Sequence, residues 1–222
     1  MKLHLLWLLT ASAIVIPHTD SKERVAYIIA SSSGNLPSAA RDVTTYYDIF
    51  TRMGFSVEMI LDVSPKELQT IRTHISTDTI HTDLNDFPEL ISHHDVDTDV
   101  IVTISGHGYD NYIKFNGISY NNQEISTWIK SSKAHVFVMI DTCHSGNLCP
   151  IPSKNRERIH VLTACSSSEM DNDDISTEFG FGGGLTASFA DYISCKNEID
   201  LEQLYEYCRQ RLALANQHPV FI

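Results

Sequence analysis

The residues of this sequence that could carry covalent chemistry are a histidine and a cysteine set in glycine-containing turns. One turn reads Ser105-Gly106-His107-Gly108, the other Asp141-Thr142-Cys143-His144-Ser145-Gly146. Each follows an apolar run, DVIVTIS from Asp99 and HVFVMID from His135, of the kind a strand buried on both faces shows. A thiol with an ordinary pKa of about 8.5 is mostly protonated at neutral pH, so a neighbouring imidazole is what activates it or supplies the leaving-group proton. The glycine after His107 lets a substrate come close and leaves the Gly108 amide able to point inward, and with the Cys143 amide it can stabilise an oxyanion. His107, Cys143 and these two amides are the minimum apparatus for acyl transfer. His144 competes for the base role, but a residue adjacent on a turn normally points away, which favours His107. Two plainer readings stand beside this one: Cys143 as a small buried hydrophobe, and a metal site of Cys143, His144 and His107. No carboxylate or second cysteine has ligand spacing to them, so neither metal nor cofactor is expected. His93, His94, His135, His160 and His218 sit in no comparable setting and read as surface or core.

These turns need a scaffold, and the rest of the chain supplies its pattern. Arg24 to Ala30 and Phe55 to Leu61 read as strands, as do Asp99 to Ser105, His135 to Asp141 and Arg158 to Ala164. Between them the apolar period changes. Ala39, Val43, Tyr46, Tyr47, Phe50 and Met53 share one helical face, and Gly54 stops that helix. Ser64-Pro65-Lys66-Glu67 combines an N-cap, a first-position proline and a capping-box Glu, predicting a helix to about His74. A short helix is expected around Phe87 to His93, and a small hairpin at Tyr112 to Phe115 and Ile118 to Tyr120 around Asn116-Gly117. Ile125, Trp128 and Ile129 mark the buried side of another helix. Gly182-Gly183-Gly184 opens one more, with Leu185, Phe189, Tyr192 and Ile193 inward, and Asp200 with Gln203 caps the last. Strand alternating with helix implies βαβ crossovers, a mostly parallel sheet and helices on both faces. In such a sheet ligands bind outside the carboxyl ends of the strands, where His107, Cys143 and Cys165-Ser166-Ser167-Ser168 all lie.

The chain has 222 residues and a net charge of −12, a poor electrostatic match for nucleic acid or an anionic membrane and a good one for basic peptides. Residues 1–21 read as a secretory signal peptide, with Lys2 followed by an apolar run from Leu5 to Ile16. An uncleaved membrane anchor and an ordinary core helix are the alternatives. The mature domain is then 22–222, secreted or lumenal, and membrane-bound only if the leader stays. Of the five cysteines, four could pair as two bridges in a secreted chain. The run Asn147 to Glu157 reads as a surface loop and, less directly, as a self-cleavage site.

The two glycine turns, in this order, resemble the histidine and nucleophile motifs of the caspase–metacaspase superfamily of cysteine peptidases, and of its metacaspase-like branch in particular. Leu36 to Val43 with Gly54-Phe55 resembles the first loop and helix of bacterial members, and Gln217-His218-Pro219-Val220 their domain end. The resemblance implies an α/β, caspase-like three-layer α-β-α sandwich around a mostly parallel six-stranded sheet. It implies a catalytic dyad of His107 and Cys143, an oxyanion hole at Gly108 and Cys143, and a basic-residue pocket at Asp42, Ser105 and Asp141. Two carboxylates there would neutralise a guanidinium or ammonium group. A solvated helix position is the plain alternative for Asp42, and a turn cap for Asp141. The implied activity is an endopeptidase cleaving after Arg or Lys.

The departures are specific. Ala39 stands where many members carry a loop cysteine, and the acidic calcium-binding run after the histidine motif is reduced to Asp110. Asp171, Asp173 and Asp174 read as an acidic loop before a calcium site. The Gln-Ala-Cys-x-Gly pentapeptide of Asp-specific caspases is missing. Gly106-His107-Gly108 with Tyr112 to Phe115, and Ile140 to Cys143, are also similar to the legumain and glycosylphosphatidylinositol-transamidase branch, but Pro37-Ser38-Ala39 replaces legumain's Arg-His pair. A transpeptidase using the same acyl-enzyme, and an inactive module that only binds basic segments, are the further alternatives.

Overall fold

The computed structural model describes residues 15–16, 22–33, 36–75, 79–148, 155, 157–170, 175–177, 180–196 and 198–222. In chain order the elements are β1 (Val15–Ile16), β2 (Glu23–Ser31), α1 (Pro37–Arg52), β3 (Ser56–Asp62), α2 (Pro65–His74), β4 (Ile80–His81), α3 (Phe87–Ser92) and β5 (Thr98–Ser105). There follow β6 (Gly108–Tyr109), β7 (Tyr112–Phe115), β8 (Ile118–Asn121), α4 (Asn122–Ser131), β9 (His135–Asp141) and β10 (Ile159–Thr163). The chain continues through β11 (Ile175–Thr177), β12 (Gly180–Gly182), α5 (Gly184–Lys196), β13 (Ile199–Asp200) and α6 (Leu201–Ala213).

The central sheet has six strands in the order β10-β9-β5-β2-β3-β4, and every neighbouring pair is parallel. Parallel strands need crossovers, and the helices that supply them cover both faces. Alternation along each strand sends successive side chains to opposite layers. On β9, Phe137 and Met139 join the layer of α1, α2, α5 and α6, while Val136, Val138 and Ile140 join that of α3 and α4. All eight residues of β5 are buried, so the run that read as continuous apolar sequence is a strand with no solvent face. The chain moves outward from β2 to β3 and β4, then returns to the other side of β2 with β5 and continues to β9 and β10. The winding therefore reverses between β2 and β5, the place where open α/β sheets leave a crevice.

Helix boundaries follow the capping chemistry written in the sequence. Ser64 Oγ accepts from the Glu67 amide while the Glu67 carboxylate accepts from the Ser64 amide at 2.8 Å, a complete capping box. Asn121 and Glu124 repeat it at α4, and Asp200 accepts the Gln203 amide at 3.0 Å at α6. Six short strands carried no periodic signal and were not foreseen: β4, the two residues of β6, the β11–β12 pair and the β1–β13 pair. The C-terminal residues run antiparallel along the outer edge of β10, with Val161 and Ile222 exchanging amide bonds at 3.0 Å.

Two expectations need comment. Cys195 and Cys208 both carry thiols, Cys208 fully buried in the helical layer. With those two excluded from pairing, five cysteines leave at most one bridge within the chain, not two. Of residues 1–21 only Val15–Ile16 are described, as an antiparallel partner of β13; the other leader positions lie outside the described residues, as do most of 147–157 and all of Asp171, Asp173 and Asp174. No helix among the described residues is long and apolar enough to cross a membrane.

Replacing Ser64 with Ala removes one side of the α2 capping box and should cost about 1 kcal/mol of stability. Urea unfolding checks this; an unchanged midpoint contradicts the assigned cap.

Candidate active site

β5 and β9 pair in register to their last residues, with Ser105 opposite Asp141, and the Gly106 amide reaches the Asp141 carbonyl at 3.4 Å. His107 and Cys143 each lie two residues beyond that last pair. Neighbouring strands are about 4.8 Å apart, so the two backbones leave the sheet side by side at its carboxyl edge. Both residues are half-buried, so each keeps some exposure to solvent. The approach is close enough that a Cβ on Gly108 would collide with the Cys143 carbonyl oxygen and with Thr142 Oγ1. Only glycine fits between the histidine turn and the cysteine turn.

Gly108 also begins the small antiparallel sheet β6-β7-β8. The Lys114 amide bonds to the His107 carbonyl at 3.4 Å, one residue before the Gly108–Ile113 pair. Antiparallel ladders alternate between bonded and non-bonded pairs, so the Gly108 amide is turned away from β7. His144 adopts left-handed backbone geometry, φ 54°, which costs a residue with a Cβ about 1–2 kcal/mol. Its amide donates to the Glu169 carbonyl at 2.8 Å, and its ring Nδ1 lies 3.0 Å from the Ser167 carbonyl and 3.5 Å from Asp110 Oδ1.

Asp42, Ser105 and Asp141 were expected to form a basic pocket. Asp42 on α1, Ser105 at the end of β5 and Asp141 at the end of β9 are 2%, 4% and 4% exposed. Both carboxylates are engaged by the start of α5. Asp42 Oδ1 accepts the Gly183 amide at 3.1 Å. Asp141 accepts the amides of Leu185 at 3.4 Å and Thr186 at 2.7 Å, and the Thr186 hydroxyl at 2.6 Å. Negative charge at a helix N-terminus is favoured by the aligned peptide dipoles and the unsatisfied amides there. Asp42 is thus no solvated helix residue, and Asp141 is a cap, but of a helix more than forty residues away in sequence. Burial and then the charges of Asp141 and Asp42 push the Tyr46 hydroxyl well above its ordinary pKa; its oxygen lies 3.0 Å from Thr186 Oγ1, whose one proton goes to Asp141. Ser105 Oγ is buried with no hydrogen-bond partner among the described residues. Such an atom costs about 1–3 kcal/mol, and a polar ligand entering beside it would recover that.

A sequence profile described as the caspase domain matches residues 23–221. The chain belongs to the caspase-domain family. Its fold is shared with caspase-1 from Spodoptera frugiperda, at TM-score 0.60 and 12% identity over 91% of this chain and 86% of that one. A protein from Geobacter sulfurreducens superposes at TM-score 0.63 with 13% identity, covering 90% of this chain and 92% of its own. No curated protein matches the sequence. The six-stranded α/β architecture is that of the family of cysteine peptidases to which the caspase domain gives its name.

In this caspase domain the cysteine turn rests on the loop after β10, which the sequence marked only as a third strand end. The Cys165 thiol lies 3.5 Å from the Thr142 carbonyl and 3.3 Å from that of Glu169. Ser145 Oγ bonds both the amide and the carbonyl of Cys165, at 3.2 and 3.3 Å. A Cβ on Gly146 would stand 2.7 Å from the Ser167 nitrogen, so this turn too needs glycine for contact. Glu169 holds the loop together. Its carboxylate accepts the amides of Ser166 at 3.1 Å and His218 at 2.9 Å, and Oε1 lies 2.5 Å from the His218 ring. Burial alone would raise its pKa, but these bonds outweigh it and hold the carboxyl at about 2. Neither Glu169 nor His218 was foreseen, because the contact between them spans forty-nine residues. Among the described residues, no three His, Cys, Asp or Glu side chains gather as metal ligands.

A carboxyl whose pKa drops on folding from an ordinary 4.5 to about 2 contributes stability that is complete above pH 4.5 and lost as pH falls through 2. Wild type should therefore be more stable than Glu169→Gln at pH 6, with the gap closing between pH 4.5 and 2. Urea titrations of both proteins across that range check it, and a pH-independent gap contradicts it.

Proposed function

We propose that this chain is a cysteine endopeptidase of the metacaspase-like branch that cleaves after Arg or Lys, with Cys143 as nucleophile and His107 as its acid–base partner. The observation that carries the proposal is the in-register exit of these two residues from adjacent parallel strands, with Gly108 seated against the Cys143 peptide. The Cys143 sulfur, as thiolate, attacks the scissile carbonyl. The amides of Gly108 and Cys143 receive the developing oxyanion; the outward turn of the Gly108 amide from its own ladder supports that role. As the carbon–nitrogen bond breaks, protonated His107 gives its proton to the departing amine, leaving a thioester. Water then adds to the thioester with neutral His107 accepting a proton, the carbon–sulfur bond breaks, and acid and thiolate leave.

Specificity for a basic side chain rests on Asp42, Ser105 and Asp141 as substrate-binding residues. Two buried carboxylates and one unsatisfied hydroxyl on one face of the sheet suit a guanidinium, which can bond two oxygens at once. An incoming Arg meets carboxylates that already serve the α5 amides, so binding exchanges or shares those bonds. The net charge of −12 supports basic protein or peptide substrates and disfavours nucleic acid as a partner. The charged and then apolar run from Lys2 to Ile16 supports a secretory leader and hence a secreted or lumenal setting.

Cys143→Ala should abolish cleavage of an Arg- or Lys-containing peptide reporter by about a thousandfold or more with its fold intact. Survival of cleavage in that variant ends the mechanism. Asp42→Asn keeps an acceptor for the Gly183 amide but removes one charge, so kcat/KM for an Arg reporter should fall about thirtyfold, corresponding to about 2 kcal/mol. Steady-state kinetics with matched Arg and neutral reporters reads this directly; equal loss on both reporters rules Asp42 out of the pocket.

A further inference from the structure

We infer that Glu169 is a positioning residue: it shapes the loop that brackets the Cys143 turn and couples the docking of the C-terminal tail to the geometry of the nucleophile. The inference rests on the reading of Cys143 as that nucleophile. Three contacts carry it. On one side of Cys143, the Thr142 carbonyl meets the Cys165 thiol; on the other, the His144 amide donates to the Glu169 carbonyl and the His144 ring meets the Ser167 carbonyl. All three partners belong to residues 165–169. His144, whose amide and ring both meet that loop, has a left-handed backbone.

What holds the loop is the Glu169 carboxylate. Oε2 collects the Ser166 amide from the start of the loop and the His218 amide from the tail, and Oε1 takes the His218 ring nitrogen. The tail is itself fixed along β10, where Thr163 and Val220 bond at 3.0 Å, so His218 is delivered to the carboxyl edge of the sheet beside the cysteine turn. Removing the carboxylate leaves two amides and a ring without their acceptor, and the peptide that receives the His144 amide is then held through the Cys165 thiol at its carbonyl and the Ser166 carbonyl at the Glu169 amide. The Cys165–Ser145 bonds remain, so the loop loses its shape at the Glu169 end first.

A glutamine at this position can reproduce the pattern. Its carbonyl oxygen can accept both amides, and its NH2 can donate to a neutral His218 ring. The experiment therefore compares Glu169→Ala, Glu169→Gln and His218→Ala with wild type. The His218 side chain is 70% exposed, so His218→Ala removes one contact with little risk to the fold. Two readouts are taken: the rate of iodoacetamide alkylation at Cys143 at pH 7, resolved by peptide mapping from exposed Cys195, and kcat and KM on the Arg reporter. For Glu169→Ala we expect the Cys143 alkylation rate to change at least fivefold and kcat to fall at least tenfold, with KM within twofold. Glu169→Gln should stay within threefold of wild type, and His218→Ala should fall between the two. Wild-type alkylation and kcat in folded Glu169→Ala and His218→Ala overturn the inference. Equal damage in Glu169→Gln and Glu169→Ala also overturns it. If Glu169→Ala does not fold, the other two variants decide. If the wild-type protein cuts no reporter, the peptidase reading fails, while the alkylation series still tests Glu169.

Discussion

The site depends on one constraint, the parallel in-register pairing of β5 with β9. Seven residue pairs from Asp99–His135 to Ser105–Asp141 fix where each strand ends. Because both strands are buried on both faces, a slip of one residue would turn each layer's apolar side chains toward the other layer and carry the buried polar ends with them. The register that builds the core is therefore the register that delivers His107 and Cys143 to the same edge. Glycine at 108 then allows the two turns to touch.

A second dependency runs through α5. Its first amides have no partner within the helix, and two buried aspartates from α1 and β9 supply it. The same carboxylates are those we propose for binding a basic substrate side chain. One pair of charges thus serves the fold and the proposed specificity at once. Burying such charges is tolerable only because each is hydrogen-bonded, and the Ser105 hydroxyl beside them is the one polar group in the set that is not, among the described residues.

Much of this was legible in the sequence, for definite reasons. A fully buried parallel strand leaves an unbroken apolar run, which is why His135 to Asp141 was read to its end residues and β5 to within one. The Ser64 capping box and the Asp200 cap are local, so their chemistry sits within four consecutive residues; the equally local box of Asn121 and Glu124 was not read. The histidine and cysteine turns were legible because glycine marks each of them and each follows such a strand. What escaped was short or long-range. A two-residue strand such as β4 or β6 has no period to detect. The α5 cap by Asp141 spans forty-four residues, and the Glu169–His218 contact forty-nine, so no local spacing encodes either. His218 in particular read as an unremarkable histidine until the tail was seen to lie along β10.

The central claim is that an imidazole and a sulfur face each other across the crevice above β5 and β9. The direct measurement is a covalent bridge. A short bifunctional alkylating agent such as 1,3-dibromoacetone, added to the folded protein, reacts first at a thiolate and then at whatever nucleophile stands opposite. Peptide mapping by mass spectrometry should find Cys143 joined to His107. Only single-armed adducts on Cys143, or a bridge to His144 in place of His107, would contradict the account.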